Sequence, residues 1–132
     1  MFRSSMRRVP VQRMVSRSAV VFLGTLLVSC ATTQSRFTAL GQAHPPRPED
    51  CSVAVLKDSV PQKAFERVSR LDVHIERTGF AQADFESAIP ELKKQACLSG
   101  ADAIIEIRER STGFRFENRA YHVTATGIKF KD

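Results

Sequence analysis

Several things this chain of 132 residues lacks narrow its reading first. No serine or cysteine stands in a recognisable nucleophile motif beside base candidates, and no glycine loop is spaced to cradle a phosphate. The expectation is therefore a protein without catalysis and without a cofactor. No CxxC pair or histidine cluster with ligand spacing is present, which leaves His74 and His122 as weak metal candidates. No second apolar-periodic block of domain size exists, so one folded domain is expected. The first 29 residues hold no acid at all but five arginines, Arg3, Arg7, Arg8, Arg13 and Arg17. Most of the formal charge of +6 resides there, and the remainder carries fifteen basic against fourteen acidic residues. A nucleic-acid partner thereby loses its electrostatic footing.

What is present begins with that leader. Ser18 to Val28 is an apolar run after the arginines, too short for the ~20 residues that span a bilayer. It has the order of an export signal, a charged region and then an apolar one. The run closes on Leu27-Val28-Ser29-Cys30, which resembles the lipobox of bacterial lipoproteins. The resemblance implies cleavage before Cys30 and acylation of that cysteine, with residues 1–29 as signal peptide. Two or three acyl chains anchor firmly, where one is marginal. Ala31, rather than Asp, follows Cys30, and by the sorting rule of enterobacterial lipoproteins this implies the outer membrane. An uncleaved or ordinary signal with a chance cysteine is the alternative.

Residues 30–50 are polar and carry His44-Pro45-Pro46-Arg47-Pro48 without a sustained period. They are expected to form a semi-stiff tether, because proline biases its predecessor to extended backbone. Phe37 and Leu40 lie in that stretch and are expected in solvent. The cysteines left after Cys30 are Cys51 and Cys97. In an exported protein an even pair reads as a disulfide, with two buried thiols as the alternative. A bridge requires the start of the first strand to lie beside the end of the helix.

Residues 51–132 predict an α+β domain of order β-β-α-β-β, mostly antiparallel, with one helix packed on one face. Ser52 to Leu56 reads as a short strand. Phe65 to Glu76 alternates, with Ser69, Leu71, Val73 and Ile75 on one face, and Val68 with the polar residues on the other. Phe85, Ala88, Ile89, Leu92 and Ala96 give a helical stripe capped by Asp84, although Pro90 suggests regular helix only from Ile89 to Leu98. Gly100 fits the left-handed position after a helix, and Asp102 fits a structural turn residue rather than a general base. Ala103, Ile105 and Ile107 share one strand face, which leaves Ile104 exposed with Glu106 and Arg108. The charge pairs Glu106/Arg108 and Glu109/Arg110 read as a solvated face. Ser111 to Arg119 predicts a hairpin loop, and Ala120 to Lys131 a final strand with a bulge at Gly127 that turns Ile128 and Phe130 inward.

Ala96-Cys97-Leu98-Ser99-Gly100-Ala101-Asp102-Ala103-Ile104-Ile105, with Tyr121 to Ile128 after the loop, resembles the pattern of YbjQ-like domains, to which the RcsF-like lipoprotein core is related. The resemblance spans about Phe65 to Lys129. It implies either an envelope module for interaction or stress sensing, or a metal-binding oligomer. The order Ala125-Thr126-Gly127 departs from the pattern, and two cysteines replace the four of RcsF-like proteins, so their redox sensing does not carry over. A lipid-anchored domain of this kind, facing the periplasm, has the membrane and another envelope protein as its expected partners. Exposed Val68 and Ile104, the open sheet edge and the loop residues Phe114 and Phe116 are the candidate contacts.

Overall fold

A computed structural model describes residues 31–79, 81–113 and 118–132. Cys30, Phe114 and Phe116 lie outside them, as do residues 1–29. The described chain runs β1 (Ala31–Ala39), β2 (Ala54–Val55), β3 (Phe65–Arg77), α1 (Phe85–Leu98), β4 (Ala103–Thr112) and β5 (Arg119–Phe130). It is α+β: one five-stranded sheet of order β1-β3-β5-β4-β2, antiparallel except for the short β2–β4 pair, with α1 across one face.

The helix begins where Asp84 accepts from the Ser87 backbone N–H at 3.0 Å while the Ser87 hydroxyl faces the Asp84 N–H, a reciprocal cap. It runs unbroken through Pro90, contrary to the expected start at Ile89. Proline removes one early hydrogen bond there, and the burial of Ala88, Leu92, Ala96 and Cys97 outweighs that loss. Gly100 follows the last turn at φ +77, a left-handed conformation. These side chains pack on Leu71, Val73 and Ile75 of β3 and on Tyr121, Val123 and Ala125 of β5.

Four further expectations are corrected. Residues 31–39 are no tether: they form an edge strand whose backbone pairs with β3 from Ala31↔Arg77 to Ala39↔Ser69. Leu40 extends that pairing by donating its N–H to the Val68 carbonyl at 2.9 Å. The proline stretch is held too, since the Arg47 N–H donates to the Cys97 carbonyl. Val68 and Ile104 are buried, at 2% and 0% exposure, not displayed. Both lie beside irregularities of register, one between Arg67 and Ser69 and one between Ile105 and Arg108, and a bulge turns a neighbouring residue onto the opposite face. The bulges therefore sit in β3 and β4. Gly127 is required for another reason: a Cβ there would lie 2.3 Å from the Ser69 hydroxyl and 3.1 Å from the Ala101 Cβ. Ile128 and Phe130 do not turn toward the helix; with Ala103, Ile105, Leu56 and Phe65 they form a separate, smaller cluster.

Candidate functional site

Two places gather the residues that the sequence singles out. One is the joint after α1. Cys51 and Cys97 form a disulfide with Cα atoms 5.8 Å apart, so the start of β2 does lie beside the helix end. Asp102 then acts as a clamp. Its N–H donates to the Ile128 carbonyl, its Oδ2 accepts the Phe130 N–H at 3.0 Å, and its Oδ1 accepts from Arg47 at 3.1 Å. Arg47 also donates to the Ala101 carbonyl, so one carboxylate joins the end of β5 to the proline stretch. Gly100 admits that stretch, because a Cβ there would lie 2.8 Å from the His44 Cβ and 2.9 Å from the Pro45 carbonyl. With every oxygen engaged by the fold, Asp102 has the contacts of a structural residue. Sequence reasoning misses Arg47, since nothing local to it signals a partner 55 positions later.

The other place is the face of the sheet opposite α1. His74 and His122 are direct partners in register between β3 and β5, their ring centroids 5.9 Å apart and edge to face. Each Nε2 lies 3.0 Å from a carboxylate oxygen, His74 from Glu76 and His122 from Asp72. Gln34, Ser35 and Arg36 of β1 complete an open groove of about 410 Å³ with Asp72, His74 and His122. The histidines meet, yet among the described residues no group of three or more His, Cys, Asp or Glu side chains is arranged to hold a metal ion. With each Nε2 already paired with a carboxylate, Nδ1 is the remaining nitrogen of each ring.

Further along this face Glu106 takes bonds from Arg67 and from the Thr126 hydroxyl, the latter at 2.8 Å. The Arg67 guanidinium first, then the hydroxyl, hold the Glu106 carboxyl below its ordinary range. Glu106 stands at φ +55 in the β4 bulge, the lone positive φ outside glycine among the described residues. On the other face Glu109 accepts from Lys57 at 2.9 Å and from the Tyr121 hydroxyl at 3.0 Å. Lys57 first lowers the Glu109 carboxyl, while burial first, and then Glu109, push the Tyr121 phenol up. The two acids thus have partners distant in sequence, Arg67 and Thr126 for one and Lys57 and Tyr121 for the other, rather than forming the local pairs expected of a merely solvated face. Arg70 and Arg110 are exposed, and neither has an ion pair among the described residues.

No protein-family model and no curated protein matches the chain. Among solved structures it is similar to the Francisella virulence factor FvfA, crystallised in an orthorhombic form, with 15% sequence identity and a TM-score of 0.51. The match covers 76% of this chain and 100% of that one. At that identity the likeness concerns the fold alone.

Proposed function

We propose that this chain is a lipoprotein of the bacterial outer membrane, anchored through Cys30, whose domain faces the periplasm as a non-enzymatic module for interaction or stress sensing. The observation that carries this reading is the Cys51–Cys97 bridge taken together with the signal and Leu27-Val28-Ser29-Cys30. Disulfides persist in oxidising compartments, and an export signal ending on a small residue and cysteine supplies the route to one. The resemblance to RcsF-like and YbjQ-like domains supports the same assignment. The partner on this reading is the membrane together with another envelope protein, with no nucleic acid involved, and oligomerisation is compatible with it. The edge of β1 is the favoured contact, because among the described residues its outer backbone groups have no strand beside them in the sheet order.

The test is the intact mass, without reductant, of protein taken from bacterial membranes. The expected mass is that of residues 30–132 plus acyl chains and minus the two hydrogens lost to the bridge. An uncut leader or a bare Cys30 overturns the anchor. The juxtaposed His74 and His122 favour an alternative reading, a metal-binding domain. It predicts a rise in melting temperature with Zn²⁺, Cu²⁺ or Ni²⁺, and no rise removes it.

A further inference from the structure

The nine residues after Cys30 are a strand, so no spacer separates the proposed acylation site from the folded sheet. Ala31 is one peptide bond from Cys30, with Cα atoms about 3.8 Å apart. It is also in register with Arg77, which is in register with Arg119. A single row across β1, β3 and β5 therefore reads Ala31, Arg77, Arg119 and lies beside the anchor.

Both arginines spend their hydrogen bonds on uncharged groups. Arg77 donates to the Thr32 and Glu76 carbonyls and to the Thr33 hydroxyl, at 2.9 to 3.0 Å. Arg119 donates to the Gly79 and Ala81 carbonyls, and its Nε is buried without a hydrogen-bond partner. Among the described residues neither guanidinium has a carboxylate partner, and within them the two positive charges at this end are uncompensated. Of the described carboxylates near this end, Glu76 pairs with His74, Asp84 caps α1, and Glu86 is exposed in the first helical turn. Carbonyl contacts fix where the guanidiniums sit and leave their charge for an anion.

We propose that the sheet end carrying Ala31, Arg77 and Arg119 is a bilayer-contact surface that takes the phosphates of anionic phospholipid headgroups. This rests on the reading of Cys30 as the acylated residue. The strands then rise from the membrane with no linker, and the opposite end, with Glu66 and Lys63, is the one held away from it. The occupant is a lipid surface because the anchor itself places headgroups within reach of this row, and their charge is complementary.

The experiment uses the lipidated full chain in vesicles that contain a quencher on the lipid headgroup. Dyes are placed at Thr112→Cys, near the proposed contact, or at Glu66→Cys, at the far end; the native bridge leaves no other free thiol. Acylation is read first by mass, and a bare Cys30 overturns the lipoprotein reading rather than this geometry. In vesicles with phosphatidylglycerol the near dye is expected to be quenched about threefold more than the far one, since about 30 Å of strand separates the two. That excess is expected to fall in phosphatidylcholine vesicles and in the double variant Arg77→Gln/Arg119→Gln, and to be kept in Arg77→Lys/Arg119→Lys. If the Gln variant folds poorly, added salt does the same to the intact protein by screening the charges. Equal quenching at both sites, or an excess indifferent to lipid charge, salt and substitution, overturns the proposal.

Discussion

Along β3 the residues Leu71, Val73 and Ile75 alternate with Asp72, His74 and Glu76, and the two sets meet different surroundings. Leu71, Val73 and Ile75 lie under α1 at 0% exposure, with Val123 and Leu92 against them. Asp72 and His74 stand in register with Arg36, Thr124 and His122 on the face opposite α1, which no helix covers among the described residues. Contacts on the covered face are apolar and depend on volume, so each lost methyl group is felt. Around Asp72 and His74 on the open face they are hydrogen bonds and ion pairs that water can replace at little net cost. The covered face holds the larger core, the other face keeps a smaller cluster around Ile105 and Ile128, and the stretch around Asp72 and His74 is left free to vary chemically.

That contrast is broken most severely by opening the bridge beneath the covered face. The double variant Cys51→Ala/Cys97→Ala releases a closure of 46 residues and is expected to lose about 4 kcal/mol by the chain-entropy account. Urea unfolding without reductant measures it. A variant as stable as the parent would mean that Arg47 and Asp102 hold the joint alone.

Next in size is Leu92→Ala, which empties a fully buried position of α1 and is expected to cost about 3 kcal/mol. Its counterpart on the open face is His122→Ala, where a half-exposed ring loses one carboxylate contact and the change is expected to stay within about 0.5 kcal/mol. Comparable losses from both would erase the distinction between the faces, and chemical denaturation of the pair decides it.

The pH dependence separates the faces more finely. Tyr121, on the covered face, has its phenol pushed up chiefly by burial and then by Glu109. Its folded form therefore holds the proton more tightly than the unfolded one. That contribution is whole below the ordinary tyrosine value of 10.0 and is lost as pH rises beyond it. Tyr121→Phe is expected to flatten this alkaline loss. Glu106, Glu109 and Asp84 are lowered, so their contribution is present above the ordinary carboxylate range and fades as pH falls through their folded values. Arg67→Gln is expected to trim that acid loss on the open face while leaving the alkaline one intact, as melting followed across pH will show.

The covered face is also the legible one. Ser69, Leu71, Val73 and Ile75, the stripe from Ala88 to Ala96 and the Asp84 cap follow from periodicity and capping chemistry, and with them the α+β class. An even pair of cysteines announces the bridge. β1 is hidden because Thr32, Thr33, Gln34, Arg36 and Thr38 are polar and exposed on both faces of an edge strand. Its β-branched threonines are the available signal, one that marks a strand without marking a buried side. Ile104 and Val68 are misplaced by strict alternation, which a bulge interrupts. The contacts of Asp102 with Arg47, and of His74 with His122, depend on which strands neighbour each other, and no local pattern specifies that order.

The smallest effect concerns the bulge itself. Glu106 stands at φ +55, where a side chain costs about 1 kcal/mol relative to glycine. Its carboxylate recovers something through Arg67 and Thr126 at an exposed site, where such pairs are weak. Glu106→Ala loses those partners and keeps the strained backbone, whereas Glu106→Gly loses them and relieves it. The glycine variant is therefore expected to be about 1 kcal/mol more stable than the alanine variant and close to the parent. Equal stability of the two would mean that the bulge relaxes when the carboxylate is removed. In that case Arg67 and Thr126, rather than the register of β4 against β5, hold Glu106 in its conformation, and the open face would then shape the strand that the covered face packs upon.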